Sequence, residues 1–194
     1  RFFCISESYE IQKMGELDKR RMLEELRRKI IDEFFVKGWK DIWFYPEYRE
    51  VRGYLGTQDI TFVSLNPSYG YFPSKHDKFF YEDVLKKLGF ENAHLTDIIK
   101  IRLRCEEVND YLKNEVLLQK NLEFLSREFE IIQPKMIVAV GGKSKKILSK
   151  NFPEEEEKIY CIPHYSMRRT REFKKRRRKF KNEMKKIREM YSKL

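Results

Sequence analysis

Cysteine is scarce in this chain. Cys4, Cys105 and Cys161 are far apart and form no C-x-x-C pair, so the spacing offers neither a zinc site nor a metal cluster. Histidine is as scarce, with His76, His94 and His164 the only three. Long apolar runs are missing too, which excludes a bilayer-spanning segment and a secretory leader core. The expected setting is therefore a reducing cytoplasm, or the nucleoid in a prokaryote, with no membrane partner. No internal repeat is visible. Asp59, Glu82 and Asp97 are available for a divalent-metal nuclease, but their spacing gives no motif. No metal or other cofactor is expected.

Charge, by contrast, is plentiful and unevenly placed. Charged residues make up 38 % of the chain, a level that fits a thermophilic source. The net charge is +11, and residues 167–194 alone carry 14 Lys or Arg against 3 acidic residues. The other 166 residues carry 28 of each sign, so all of the excess sits in the last segment. Its core is an unbroken basic run from Lys174 to Lys179. A concentrated basic stripe is the electrostatic footprint of a polyanion partner. Nucleic acid leads; an anionic membrane surface or a merely solvated helix face stays open. Phe173, Phe180, Met184, Ile187, Tyr191 and Leu194 recur at helical spacing in the same segment, so one side docks on a core or a partner.

The length of 194 residues predicts one domain, expected as a monomer. Its parts are an N-terminal helical region (11–38), a core (55–166) and a basic C-terminal helix (167–194). Within the first, Leu23, Leu26, Ile30 and Phe34 predict a helix over 16–37, with Gly38 as the stop. Residues 40–58 are aromatic and turn-rich. The β-rich run Ile60–Leu65 ends abruptly at Asn66-Pro67-Ser68-Tyr69-Gly70. There follow a helix over 78–88, a strand over His94–Lys100, and a helix over 113–131 broken by Pro134. A strand at Met136–Val140 leads through Gly141-Gly142 into a helix at 143–150. Glu154–Glu157 is read as an exposed turn, Ile159–Ile162 as the fourth strand and 168–193 as the final helix. This alternation predicts an α/β, three-layer sandwich: a central, mostly parallel four-stranded sheet with helices on both faces, plus the basic C-terminal helix. Sites in such sheets form beyond the strand C-termini. The polar exits at Asn66, Gly141 and His164 are therefore expected at one edge.

Four motifs in this order carry a resemblance. Phe62-Val63-Ser64-Leu65-Asn66-Pro67-Ser68 resembles the first motif of the uracil-DNA glycosylase superfamily, and Asn followed by Pro resembles its mismatch-specific uracil/thymine branch. Leu95–Lys100 resembles the family's base-reading strand, with Asp97 where Asn is frequent. Pro134–Lys143 resembles its third strand and glycine turn. His164-Tyr165-Ser166 resembles the His-Pro-Ser motif, with Tyr165 in place of Pro. The iron–sulfur cysteines of the thermophilic branch are absent.

The resemblance implies a monofunctional glycosylase that hydrolyses the N-glycosidic bond of uracil or a related deaminated base flipped out of single- or double-stranded DNA. A non-catalytic nucleic-acid-binding member of the same fold is the alternative. Asn66 would orient the attacking water and His164 would donate to the base oxygen; a turn-forming Asn and a structural His remain open. The base would be held by Ser68 at the edge where thymine carries its methyl, by Phe79 or Phe80 in a stack, and by Asp97 through a hydrogen bond. Core packing is the other reading of the two phenylalanines. Gly141, Gly142 and Ser144 at a helix start offer a phosphate contact or a simple helix-entry turn. Ser166 is a second phosphate candidate, Met167 a wedge for the gap left by the base, and Arg168, Arg169 and Arg171 backbone contacts.

Overall fold

The computed structural model describes residues 15–165 and 173–194. Helix α1 (Glu16–Val36) buries the predicted stripe Leu23, Leu26, Ile30 and Phe34. The aromatic segment after it folds back on itself at Gly53, where φ is +60 and an added Cβ would collide with the carbonyls of Tyr45 and Pro46. That turn fixes Tyr45 against the sheet. Strand β1 (Gln58–Ser64) then runs through the centre of the molecule.

Helix α2 (Lys75–Phe80) opens with a reciprocal cap between Ser74 and Asp77. The helix expected over 78–88 therefore begins earlier, and it is not uniform: a π-type turn (Tyr81–Leu85) and a 3-10 turn (Lys86–Leu88) complete it, and Gly89 ends it at φ +72. Strand β2 (Ala93–Asp97) is shorter than expected. Past Asp97, Ile98 and Ile99 still donate to the carbonyls of Ser64 and Leu65, but Lys100 turns inward and its backbone N–H goes to Asn121.

Helix α3 (Cys105–Lys113) was not foreseen. Asn114 separates it from α4 (Glu115–Ile132) by taking an extended ψ and capping the N–H of Leu117. Strand β3 (Met136–Val140), helix α5 (Gly142–Asn151), strand β4 (Ile159–Ile162) and helix α6 (Phe173–Tyr191) complete the order. The acidic run 154–157 is a short 3-10 helix.

The four strands are all parallel, in the order β2-β1-β3-β4. The chain leaves β1 toward one side of the sheet and resumes at β3 on the other. The gap between the exits of β1 and β3 is thus the topological switch point, where such sheets hold ligands. Each face has its own core. One joins α1, α3, α4 and α5 to Val63, Ile137, Ala139 and Ile159. The other joins α2, the π-type turn and α6 to Ile60, Phe62, Val138 and Ile162.

Buried charge ties β2 to α4. Glu128 accepts from Thr96 (2.8 Å) and Tyr54 (3.0 Å), pairs with Lys100 (2.9 Å) and meets His94 Nε2 at 3.4 Å. All of these residues are at most 2 % exposed. Burial alone would raise the Glu128 carboxyl; Lys100 and His94 outweigh it and hold it at about 2. Glu128→Gln leaves the buried Lys100 without its counter-charge. It is expected to destabilise the fold by about 3 kcal/mol, read as a lower urea midpoint at pH 7.

Candidate active site

A small cleft opens at the C-terminal edge of the sheet. Asn66, two residues past β1, and His164, two residues past β4, both line it. So do Ser68, Phe72, Trp43, Tyr45, Arg102 and Tyr165, together with His76 and Asp77 from α2. Parallel strands make this convergence possible, because every exit points the same way. Gly141 sits beside it: at φ +100, a Cβ there would lie 3.9 Å from the His164 Cβ.

Asn66 is half-buried, and its amide nitrogen donates to the carbonyls of Pro67 (3.0 Å) and Leu103 (3.5 Å). With the donor end engaged by the main chain, Oδ1 is the end left to accept from a water. His164 is exposed, and its ring stacks on Tyr165 (4.9 Å, 16°). Tyr165 stacks in turn on Phe80 (4.4 Å, 4°). This three-ring pile stands on the core and presents the imidazole at the cleft mouth.

Below the cleft lies a polar cluster. Tyr45 donates to Ser64 Oγ at 2.9 Å, and its hydroxyl is 3.5 Å from that of Tyr165. Asp97 pairs in register with Ser64 and is 2 % exposed. Its Oδ1 is buried with no hydrogen-bond partner among the described residues. Burial pushes its carboxyl up to about 8, against the opposing pull of Lys100 and with some help from Glu128. At neutral pH Asp97 is therefore a neutral acid, able to donate as well as accept. It does not line the cleft itself; Tyr45 and Tyr165 do, and burial raises both of their hydroxyls, with Asp97 adding a smaller push in the same direction.

Helix α6 runs back along the sheet. Arg177, near its start, donates to the Lys75 carbonyl at 3.2 Å, next to the cleft residues Ser74 and His76. Tyr191, at its end, donates to Asp59 near the start of β1. The run 174–179 is thereby carried to the cleft edge, with all but Arg177 exposed. Phe180, Met184 and Ile187 are buried as expected; Leu194 is exposed instead.

A family-level comparison matches residues 48–188 to the Uracil DNA glycosylase superfamily. The chain belongs to that superfamily. No curated protein matches it. Membership supports a glycosylase type of function, a hydrolase of N-glycosyl bonds acting on DNA. No helix among the described residues is long and apolar enough to cross a membrane.

Of the residues expected at a glycosylase site, Asn66, Ser68 and His164 share the cleft. Phe79 and Phe80 do not: both are buried, Phe79 against Phe180 and under the Arg177 guanidinium (4.2 Å), Phe80 beneath Tyr165. Their core reading holds because α6 covers that side of α2. Ser144 is also turned inward, donating to the Val140 carbonyl at 3.2 Å. Gly142 is exposed at the start of α5, and the Gly141 N–H is already bonded to Ile162. Ser166, Met167, Arg168, Arg169 and Arg171 lie outside the described residues. The nuclease reading loses its cluster, since Asp59 pairs with Lys135 at the opposite end of the sheet from Asp97 and Glu82 binds Tyr48.

Sequence reasoning missed Phe72, Tyr45, His76 and Arg102. Phe72 lines the cleft only six residues past Asn66. The aromatic density of 40–58 was the available signal for Tyr45. Nothing in spacing alone brings Arg102 back to Trp43, where its guanidinium lies 5.3 Å from the ring centroid.

Proposed function

We propose that this superfamily member is a monofunctional glycosylase acting on uracil or a related deaminated base extruded from DNA. The observation that carries the reading is the meeting of Asn66 and His164 in one cleft from two separate strand exits. The base enters over Phe72 and Ser68. Its bond to C1′ breaks, and the electron pair leaves with the base. Asn66 Oδ1 steers a water onto C1′, and the water's proton ends on the released base. His164 donates to the base oxygen where negative charge builds. Below the cleft and near Tyr45, the neutral carboxyl of Asp97 supplies a donor and an acceptor as an amide would. The exposed basic residues of α6 hold the phosphate backbone.

One observation favours a non-catalytic binding role instead. Among the described residues, the only carboxylate lining the cleft is Asp77, and its side chain is engaged in capping α2. An amide is a weak base, so modest turnover is expected. Oligonucleotides carrying uracil, hypoxanthine, xanthine or a G·T mispair, incubated in EDTA and then treated with alkali, decide between the two. Alkali-dependent cleavage supports the glycosylase; tight binding without cleavage supports the binder.

The placement of α6 gives a second expectation. DNA affinity should fall steeply with salt. Replacing Lys174, Lys175, Arg178 and Lys179 by Gln should flatten the log–log salt slope by about one for each phosphate contact removed. An unchanged slope would remove α6 from the interface.

A further inference from the structure

We infer that Tyr69, Tyr71, Arg102 and Arg104 form a second nucleotide subsite at the lip of the cleft, which stacks the unpaired base next to the extruded one and grips its phosphate. The location rests on the glycosylase reading, which puts the extruded base in the cleft. Gly70 and Phe72 line that cleft, so Tyr69 and Tyr71 on either side of Gly70 stand at its lip. They are 53 % and 84 % exposed, large rings left in water where a substrate strand would pass. Tyr69 is held in place: its hydroxyl donates to Asp41 at 2.9 Å, and the Arg104 guanidinium lies 6.0 Å from its ring centroid. A ring already fixed loses little freedom on binding.

The cations complete a nucleotide's requirements. Arg102 lines the cleft, and its Nε is buried with no hydrogen-bond partner among the described residues. Arg104 is exposed beside Tyr69. Arg104 lies against Tyr69 and Arg102 against Trp43 in the cleft wall, so two guanidinium groups flank the lip that carries the exposed tyrosines, the combination that tracks an unpaired strand: phosphate on cation, base on ring. Extruding one nucleotide bares the faces of its neighbours, so even a duplex offers such a base at this position. Every base has a π face, and the subsite is therefore tolerant of sequence.

The test uses a single-stranded oligonucleotide with a tetrahydrofuran abasic analogue and 2-aminopurine on one side of it or the other. This probe requires no turnover, so it is independent of catalysis. The wild-type protein should quench 2-aminopurine on one side. Tyr71→Ala should abolish that quench and weaken binding about 10-fold. Tyr71→Phe, which keeps the ring, should retain both, and Arg104→Ala should weaken binding while leaving the quench at saturation. Unchanged quenching and affinity in Tyr71→Ala would overturn the subsite. Quenching by a wild-type protein that excises no base would instead remove the glycosylase reading and leave the subsite standing.

Discussion

Asp97→Asn should stabilise the protein increasingly as the pH rises from about 4 to about 8. The sign follows from the raised carboxyl. Asp97 is protonated in the fold up to about 8 but ionises near 3.8 once the chain unfolds. Its contribution to stability is complete below about 4 and is lost as the pH climbs through 8. Asn has nearly the same shape and cannot ionise, so the variant escapes that loss. At about 1.4 kcal/mol per pKa unit, the gap between the two proteins should widen by several kcal/mol across this window. Urea unfolding at pH 4, 6 and 8 reads it; parallel curves would mean that Asp97 is not held neutral. On the glycosylase reading, excision by the wild type should also fall above pH 8, where a charged Asp97 repels the departing anionic base. The Asn variant should lack that decline.

His164→Ala should lower the rate of excision about 10²–10³-fold, the cost of removing one donor from a site of developing negative charge. The imidazole is exposed and stands on Tyr165, so its loss leaves the core intact. Asn66→Ala should cost about 10²-fold, less than the loss of a strong base, because an amide orients water without taking its proton. DNA affinity should stay within a few-fold in both variants, since the proposed backbone contacts lie on α6. A matching drop in affinity would assign these residues to binding.

The sheet was legible because its strands are short apolar runs closed by turns, and β3 and β4 came out at their expected bounds. β3 is buried along its whole length, while β4 exposes Cys161 between two buried isoleucines. The cleft was half legible. Asn66 and His164 follow strands directly, so parallel topology alone brings them to one edge. Phe79 and Phe80 were ambiguous for a physical reason: a phenylalanine that stacks on a base and one that packs on a helix carry the same local pattern. Only the return of α6 over α2 separates them, and that contact spans about 100 residues of chain. Lys100 misled in the opposite way. Its neighbours look like strand, yet its charge is drawn inward to Glu128, which ends β2 at Asp97. Tyr165 stands where the His-Pro-Ser resemblance leads one to expect Pro, and its place is visible only in three dimensions, as the ring between Phe80 and His164.

The most direct test is single-turnover release of uracil from a uracil-containing oligonucleotide in EDTA, comparing the wild type with Asn66→Ala and His164→Ala at saturating protein. Measurable release by the wild type is expected, with a loss of about 10²-fold or more in each variant and DNA binding retained. Full activity in both variants would contradict it.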